Sequence, residues 1–156
     1  MLYSPAPMHI PDGFLSVGVS LVCWLIAVVG VGLALRQTNR KLGEREVPLM
    51  GVLAAAIFAG QMLNFSVSGG TSGHLLGAAL ATIFLGPWPA ILVMTVVVSV
   101  QALLFQDGGL LTLGANLLNM AIIGVFVAYA VFSLLQRALA RQRWGIFVSG
   151  FAAAWA

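Results

Sequence analysis

The sequence predicts an all-α fold, a polytopic transmembrane helix bundle with about five full spans plus a truncated sixth. Three observations support this prediction. Of the 156 residues, 61% are hydrophobic and 7% are charged, whereas about a quarter are charged in soluble domains. The apolar residues form long runs, and the mean hydropathy is +1.06. Lys and Arg fall in two short clusters between these runs, Arg36, Arg40, Lys41 and Arg45 in the first, and Arg137, Arg141 and Arg143 in the second.

The first half of the chain predicts two crossings. Residues 14–35 form an apolar run long enough to cross a hydrocarbon core of about 30 Å at about 1.5 Å per residue. Residues 47–65 are predicted to return, and Pro48 is tolerated because it lies in the first turn of that helix. Residues 66–74, SVSGGTSGH, then form a polar, glycine-rich loop that is unsuited to face lipid.

The second half predicts three further crossings and a partial one. Residues 75–85 are a short apolar stretch stopped by GPWP, and residues 90–105 are a second stretch bounded by QDGG. Residues 110–135 form a long run that ends at the second basic cluster. Residues 144–156 correspond to about half a span, so we expect a C-terminally truncated sixth crossing.

The two basic clusters predict the orientation in the membrane. Threading the segments in order places the loops at 36–45 and 137–143 on one side, which the positive-inside rule makes cytoplasmic. The N-terminus and the loop around His74 then lie outside. This organisation divides the chain into an N-terminal segment, 1–13, and a transmembrane helical domain, 14–156.

Composition and motifs exclude several classes of function. The net charge of +3 lies in short loops between apolar runs, which does not indicate a nucleic-acid surface. Cys23 is the single cysteine, which excludes disulfides within the chain and cysteine-based metal sites. The sequence has no His-Glu-x-x-His motif, no serine nucleophile placed beside a base and no phosphate-binding Gly-x4-Gly-Lys-Ser/Thr. We therefore predict that the protein is not an enzyme.

Polar residues that could carry chemistry are few, and the titratable ones map to the predicted outer ends of the helices. A histidine at a helix end is often an interfacial hydrogen-bonding residue, which is the simpler interpretation of either histidine by itself. The glycine-rich loop before His74 favours a functional role, because irregular backbone at membrane depth is tolerated where it lines a cavity. The candidates are His9, Asp12, His74 and Asp107, with the amides Gln61, Asn64, Gln101, Asn116 and Asn119.

Three separated stretches resemble a known family. They are MHIPDGFLS at 8–16, GTSGHLLG at 70–77 and QDGGLLTLGAN at 106–116. In this order they are similar to the CbiM/NikM family, the substrate-binding (S) membrane subunits of energy-coupling factor transporters for nickel and cobalt. The resemblance runs from Met8 to the end of the chain.

The resemblance implies a metal site at Met8, His9 and His74. The free amine of Met8, the amide nitrogen and imidazole Nδ1 of His9 and the imidazole of His74 would supply four nitrogens, which suits Ni(II), with Cu(II) a competitor and Co(II) also accommodated. Asp12 is expected as an acceptor that orients an imidazole, and Asn64 and Gln61 could do similar work. We expect the mature chain to begin at Met8, because a Pro7–Met8 peptide bond would replace the amine by a much weaker donor.

The resemblance also implies the function and the partners. The chain would bind Ni(II) or Co(II) from the outer face of a prokaryotic inner membrane and pass it inward, for cobalamin synthesis or nickel enzymes. Its partners would be a transmembrane coupling (T) subunit, ATPase (A) subunits that use ATP, and a small accessory membrane subunit. No cofactor beyond the transported ion and no nucleic acid is expected. The alternative is an ion channel or proton-coupled metal carrier acting without an ATPase, based on Asp107 and His74.

Overall fold

The computed structural model describes residues 9–40, 43, 46–63, 65–67, 71–73, 75–139, 142 and 144–156. Six helices occur in these ranges, α1 (Val17–Asn39), α2 (Glu46–Met62), α3 (Ala78–Leu85), α4 (Pro87–Leu104), α5 (Leu113–Ala138) and α6 (Gly145–Trp155). The predicted all-helical class is therefore confirmed. Two three-residue antiparallel strands, β1 (Phe65–Val67) and β2 (Thr71–Gly73), lie within the predicted loop between α2 and α3.

Helix α1 has a largely exposed apolar surface. It begins after Ser16, whose hydroxyl accepts a hydrogen bond from the Val19 N–H at 3.4 Å, the usual N-cap arrangement. Most of its large apolar side chains are exposed, including Leu25 and Val29 at 69% and 62%. Such a continuous apolar exterior suits hydrocarbon better than water.

Helix α4 is the centre of the bundle. It starts at Pro87, where the missing N–H costs no helical hydrogen bond, and it packs against α1, α2, α3 and α5. Its buried side chains are Ala90, Ile91, Val93, Met94, Val97, Val98, Gln101 and Ala102. Because this helix is enclosed by the others, a polar residue on it must find its partners within the protein.

Helix α5 is interrupted by a wider turn. Residues Leu117–Ile123 are π-helical, and the Gly124 N–H bonds to the carbonyl of Asn119, five residues earlier. Turns of this kind are rare and often lie near functional sites. The sequence analysis did not predict it, because hydrophobic periodicity does not distinguish one π turn from an α-helix.

The predicted number of five full spans is not confirmed. Among the described residues, three helices have the length and apolar character to cross a membrane, α1, α4 and α5. Helix α2 has 17 residues and is slightly shorter. Helix α3 has 8 residues, a rise of about 12 Å, and residues 75–77 directly before it are non-helical.

Candidate metal centre

The segment that precedes α1 is bound to the start of α5. The Ile10 N–H donates to Oδ1 of Asn116 at 3.0 Å, and Nδ2 of Asn116 donates to the Ile10 carbonyl at 3.2 Å. The same carbonyl accepts from the Thr112 hydroxyl at 2.6 Å and from the Gly109 N–H at 3.0 Å. Four hydrogen bonds at one residue leave the backbone at Ile10 little freedom.

Asp12 secures the segment at a second point. Its Oδ1 accepts from the Thr112 N–H and its Oδ2 from the Leu110 N–H, both at 3.1 Å. Both amides lie just before Leu113, the first residue of α5, where a negative charge is favourable because the helix dipole is positive there. Oδ1 of Asp12 also accepts from the Thr112 hydroxyl at 3.3 Å. The observed contacts of this carboxylate are thus with backbone amides and a hydroxyl, whereas contact with an imidazole was expected from the resemblance.

The turn between α4 and α5 is shaped to receive this segment. Gln106 has φ 55° and Gly108 has φ 96°, both in the left-handed region, which is unusual for a residue with a side chain such as Gln106. A Cβ atom on Gly109 would collide with the carboxylate and the backbone nitrogen of Asp12. Glycine is required at 109 because another stretch of backbone lies directly against it.

His9 is buried at the same place. The residue is 4% exposed, and its Nδ1 lies 3.1 Å from Oδ2 of Asp107. The carboxylate in contact with the imidazole is therefore that of Asp107. The sequence analysis noted Asp107 as a polar candidate but gave it no role at the metal site. The sequence feature that could have indicated a role for Asp107 at the site is its position in the QDGG motif.

Gln61 lies on the other side of α4. It is fully buried, and its Nε2 donates to the carbonyl of Leu76 at 2.7 Å, just after the position of His74. Met8, Asn64 and His74 lie outside the described residues. Asn116 is one of the candidate amides to which the sequence assigned no role. Thr112 completes the set of contacts, and its position within QDGGLLTLGAN at 106–116 was the available indication.

The described part of the chain offers few side chains that could bind a transition-metal ion. Within it, no three His, Cys, Asp or Glu side chains converge on one point. A transition-metal site here would therefore need donors from outside the described residues, as the predicted set with Met8 and His74 does. Of the predicted donors, the imidazole and the backbone nitrogen of His9 lie within the described residues. The hydrogen bonds at Ile10 hold the backbone in place, and the contact with Asp107 holds the imidazole.

Comparisons with known proteins bear on the identity of the chain. Residues 9–156 match the family CbiM, described as the cobalt uptake substrate-specific transmembrane region. A Haloquadratum walsbyi protein named for metal transport is 46% identical over 94% of this chain and 66% of its own length. The fused nickel transport protein NikMN of Rhodobacter capsulatus is 40% identical over 85% of this chain and 38% of that protein. A crystal structure of a truncated transition metal transporter has a TM-score of 0.83 and 36% identity, covering 94% of this chain and 69% of that one.

Fold and comparisons together define the class, an all-helical membrane protein of the transition-metal transporter type. Within that class, the chain belongs to the CbiM family, as the three sequence motifs predicted. The relatives are named as transporters, which confirms the prediction that this is not an enzyme. The chain spans 66% and 38% of the length of the two relatives, so it corresponds to a part of each.

Proposed function

We propose that this chain is the substrate-binding membrane subunit of an energy-coupling factor importer, which binds Ni(II) or Co(II) at its outer face and passes it inward. Family membership supports the class of cargo. The observation that carries the proposal is the burial of His9, which lies ahead of the first helix and yet is enclosed at the meeting point of the α4–α5 turn and α5.

The proposed ligands are the amine of Met8, the amide nitrogen and Nδ1 of His9, and the imidazole of His74. The anchored backbone at Ile10 supports this set, because it holds the two His9 donors in a defined orientation. The hydrogen bond from Gln61 to the Leu76 carbonyl also supports this ligand set, because it restrains the chain next to His74. A planar set of four nitrogens is preferred by Ni(II), and Co(II) is also accepted. Asp12 and Gln61 act on the backbone around the site, and Asn64 is proposed to do the same.

The proposed orientation follows the basic clusters. Residues 1–13 and the loop at 66–74 lie outside, and the loops at 36–45 and 137–143 face the cytoplasm of a prokaryotic cell. Five spans with a sixth, partial one remain our proposal for the whole membrane domain, 14–156. The proposed partners are a transmembrane coupling subunit, ATPase subunits and a small accessory membrane subunit. The ATPase subunits hydrolyse the ATP.

A binding titration tests the site. Protein beginning at Met8 is purified in lipid nanodiscs and titrated with Ni(II) and with Co(II) in a calorimeter. We expect about one ion per chain, and we expect His9→Ala and His74→Ala each to abolish binding, because losing one of four ligands removes a large share of the affinity. Leu25→Ala serves as the control, since the side chain of Leu25 is 69% exposed on α1. Undiminished binding by either histidine variant would refute the ligand set.

A transport assay tests the role in the complex. The chain is placed in proteoliposomes with and without its coupling and ATPase partners, and radioactive nickel uptake is measured with and without ATP. We expect uptake only with the partners and ATP. Rapid uptake by the chain without partners, dependent on a proton gradient, would instead support the proton-coupled carrier.

A further inference from the structure

Two fully buried amide side chains face each other inside the bundle. Gln101 of α4 donates through Nε2 to Oε1 of Gln61 of α2 at 2.9 Å, and both residues are 0% exposed. Gln61 in turn donates through its own Nε2 to the Leu76 carbonyl at 2.7 Å. These bonds form a directed chain from the central helix to the backbone two residues after His74. Buried amides are expensive unless they are bonded in this way.

The backbone of Gln101 is joined to the other half of the candidate site. Its carbonyl accepts from the Phe105 N–H, at the end of α4, and from the Asp107 N–H, both at 3.1 Å. Asp107 is the residue whose carboxylate lies 3.1 Å from Nδ1 of His9. Gln101 thus contributes to both parts of the candidate site. Its backbone carbonyl holds the turn beside His9, and its side chain holds Gln61, which bonds to the chain beside His74.

We propose that Gln101 is a positioning residue that sets the separation and orientation of His9 and His74, an inference that rests on the proposed function. The side chain does not bind the ion. It fixes the amide of Gln61, which in turn fixes the carbonyl of Leu76. When the chain next to His74 is already ordered, the ion does not have to supply the free energy of ordering it, and binding is tighter.

A simpler role would be to join α2 to α4. One observation argues for more than that. Gln61 directs its donor at an irregular segment rather than at a helix. A bond that served only to join the two helices would end at Gln61, whereas these bonds continue to the backbone beside His74.

The test replaces the amide and keeps the volume. In the protein used for the binding titration, Gln101→Met removes the donor to Gln61 and leaves the backbone carbonyl in place. Thr95→Val is the matched control, because Thr95 lies on the same helix and its hydroxyl bonds only within that helix, to the Ile91 carbonyl at 2.7 Å. Nickel affinity, the visible ligand-field spectrum of bound Ni(II), and the unfolding temperature are measured for each.

We expect Gln101→Met to weaken nickel binding at least about tenfold and to change the nickel spectrum towards fewer nitrogen donors. The unfolding temperature should fall as well, because Oε1 of Gln61 stays buried without its donor, so the spectrum of the bound ion is the measurement that distinguishes positioning from a loss of stability alone. An unchanged affinity and spectrum would overturn the proposal. If Gln101→Met does not fold, Gln101→Asn is used for the test, because it keeps the amide but is one methylene shorter. We expect it to give the same loss of nickel affinity. Unmodified protein that binds neither metal would refute the proposed function itself, whereas normal binding by both variants refutes only the role of Gln101.

Discussion

Nδ1 of His9 lies 3.1 Å from Oδ2 of Asp107, and both side chains are largely enclosed. In the proposed site this nitrogen is a metal ligand, so a bound ion would replace its direct contact with the carboxylate. The carboxylate would then remain beside the ion, where its negative charge favours a divalent cation.

Asp107→Asn is expected to weaken Ni(II) and Co(II) binding by about tenfold or more, because it removes a negative charge beside the proposed position of the ion but keeps the shape of the side chain. Calorimetric titration of the purified variant measures the change. Leu25→Ala, at an exposed position of α1, should bind as the unmodified protein does. Equal or tighter binding by Asp107→Asn would show that the carboxylate does not assist the ion.

Asn116→Ala is expected to lower the free energy of unfolding by about 1–3 kcal/mol, because it leaves the Ile10 N–H without its bond to Oδ1 and removes one donor from the Ile10 carbonyl. Denaturation in detergent measures stability, and hydrogen exchange at Ile10 measures the loss of protection. The exposed amide of Asn119 provides the comparison, since its replacement by Ala should change stability by less than about 0.5 kcal/mol. Protected exchange at Ile10 in the Asn116 variant would contradict the anchoring role.

Gly109→Ala is expected to displace the segment before α1, because its Cβ would occupy the position of Asp12. We expect a loss of stability of about 1–3 kcal/mol and weaker metal binding. Gly32→Ala on α1 is the control, since a Cβ there meets nothing within 4 Å and alanine favours the helix by about 0.5–1 kcal/mol. A stable Gly109 variant with normal metal affinity would mean that the segment can move without affecting the site.

Metal binding is expected to weaken as the pH falls. The amine, amide and imidazole nitrogens must each lose a proton to bind, so protons compete with the ion and the affinity falls as the solution becomes more acidic. Calorimetric titrations of the unmodified protein in a series of buffers measure the dependence. Affinity that is constant across these buffers would argue against nitrogen ligands.

Much of the architecture could be predicted from local sequence. The apolar runs predicted α1, α4 and α5, because the length of a hydrophobic run is a property of neighbouring residues. Residues 75–85 were identified as a short apolar stretch but were counted as a crossing, whereas α3 has 8 residues. The β1–β2 hairpin was not predicted, since it depends on how a polar, glycine-rich stretch folds. Glycine permits many conformations, so its presence indicated irregular backbone without specifying which kind.

The candidate site was predicted in part. His9 and Gln61, which the sequence analysis named as a ligand and a supporting amide, are both buried, and those roles remain predictions. The partners of the N-terminal segment were not assigned from the sequence. The bonds from Thr112 to Ile10 and Asp12 join residues about a hundred positions apart, and no local pattern reports such a contact. The ligand roles of Met8 and His74 remain predictions, since both residues lie outside those that the structure describes.

The sequence by itself determined that this is a helical membrane protein and that its motifs are those of the CbiM family, because hydrophobic length and short motifs are local properties. Only the tertiary structure decided which carboxylate contacts His9 and that Gln101 connects both sides of the candidate site. The physical reason is that these contacts arise where the ends of separate elements meet, and the geometry of that meeting is set by packing around α4.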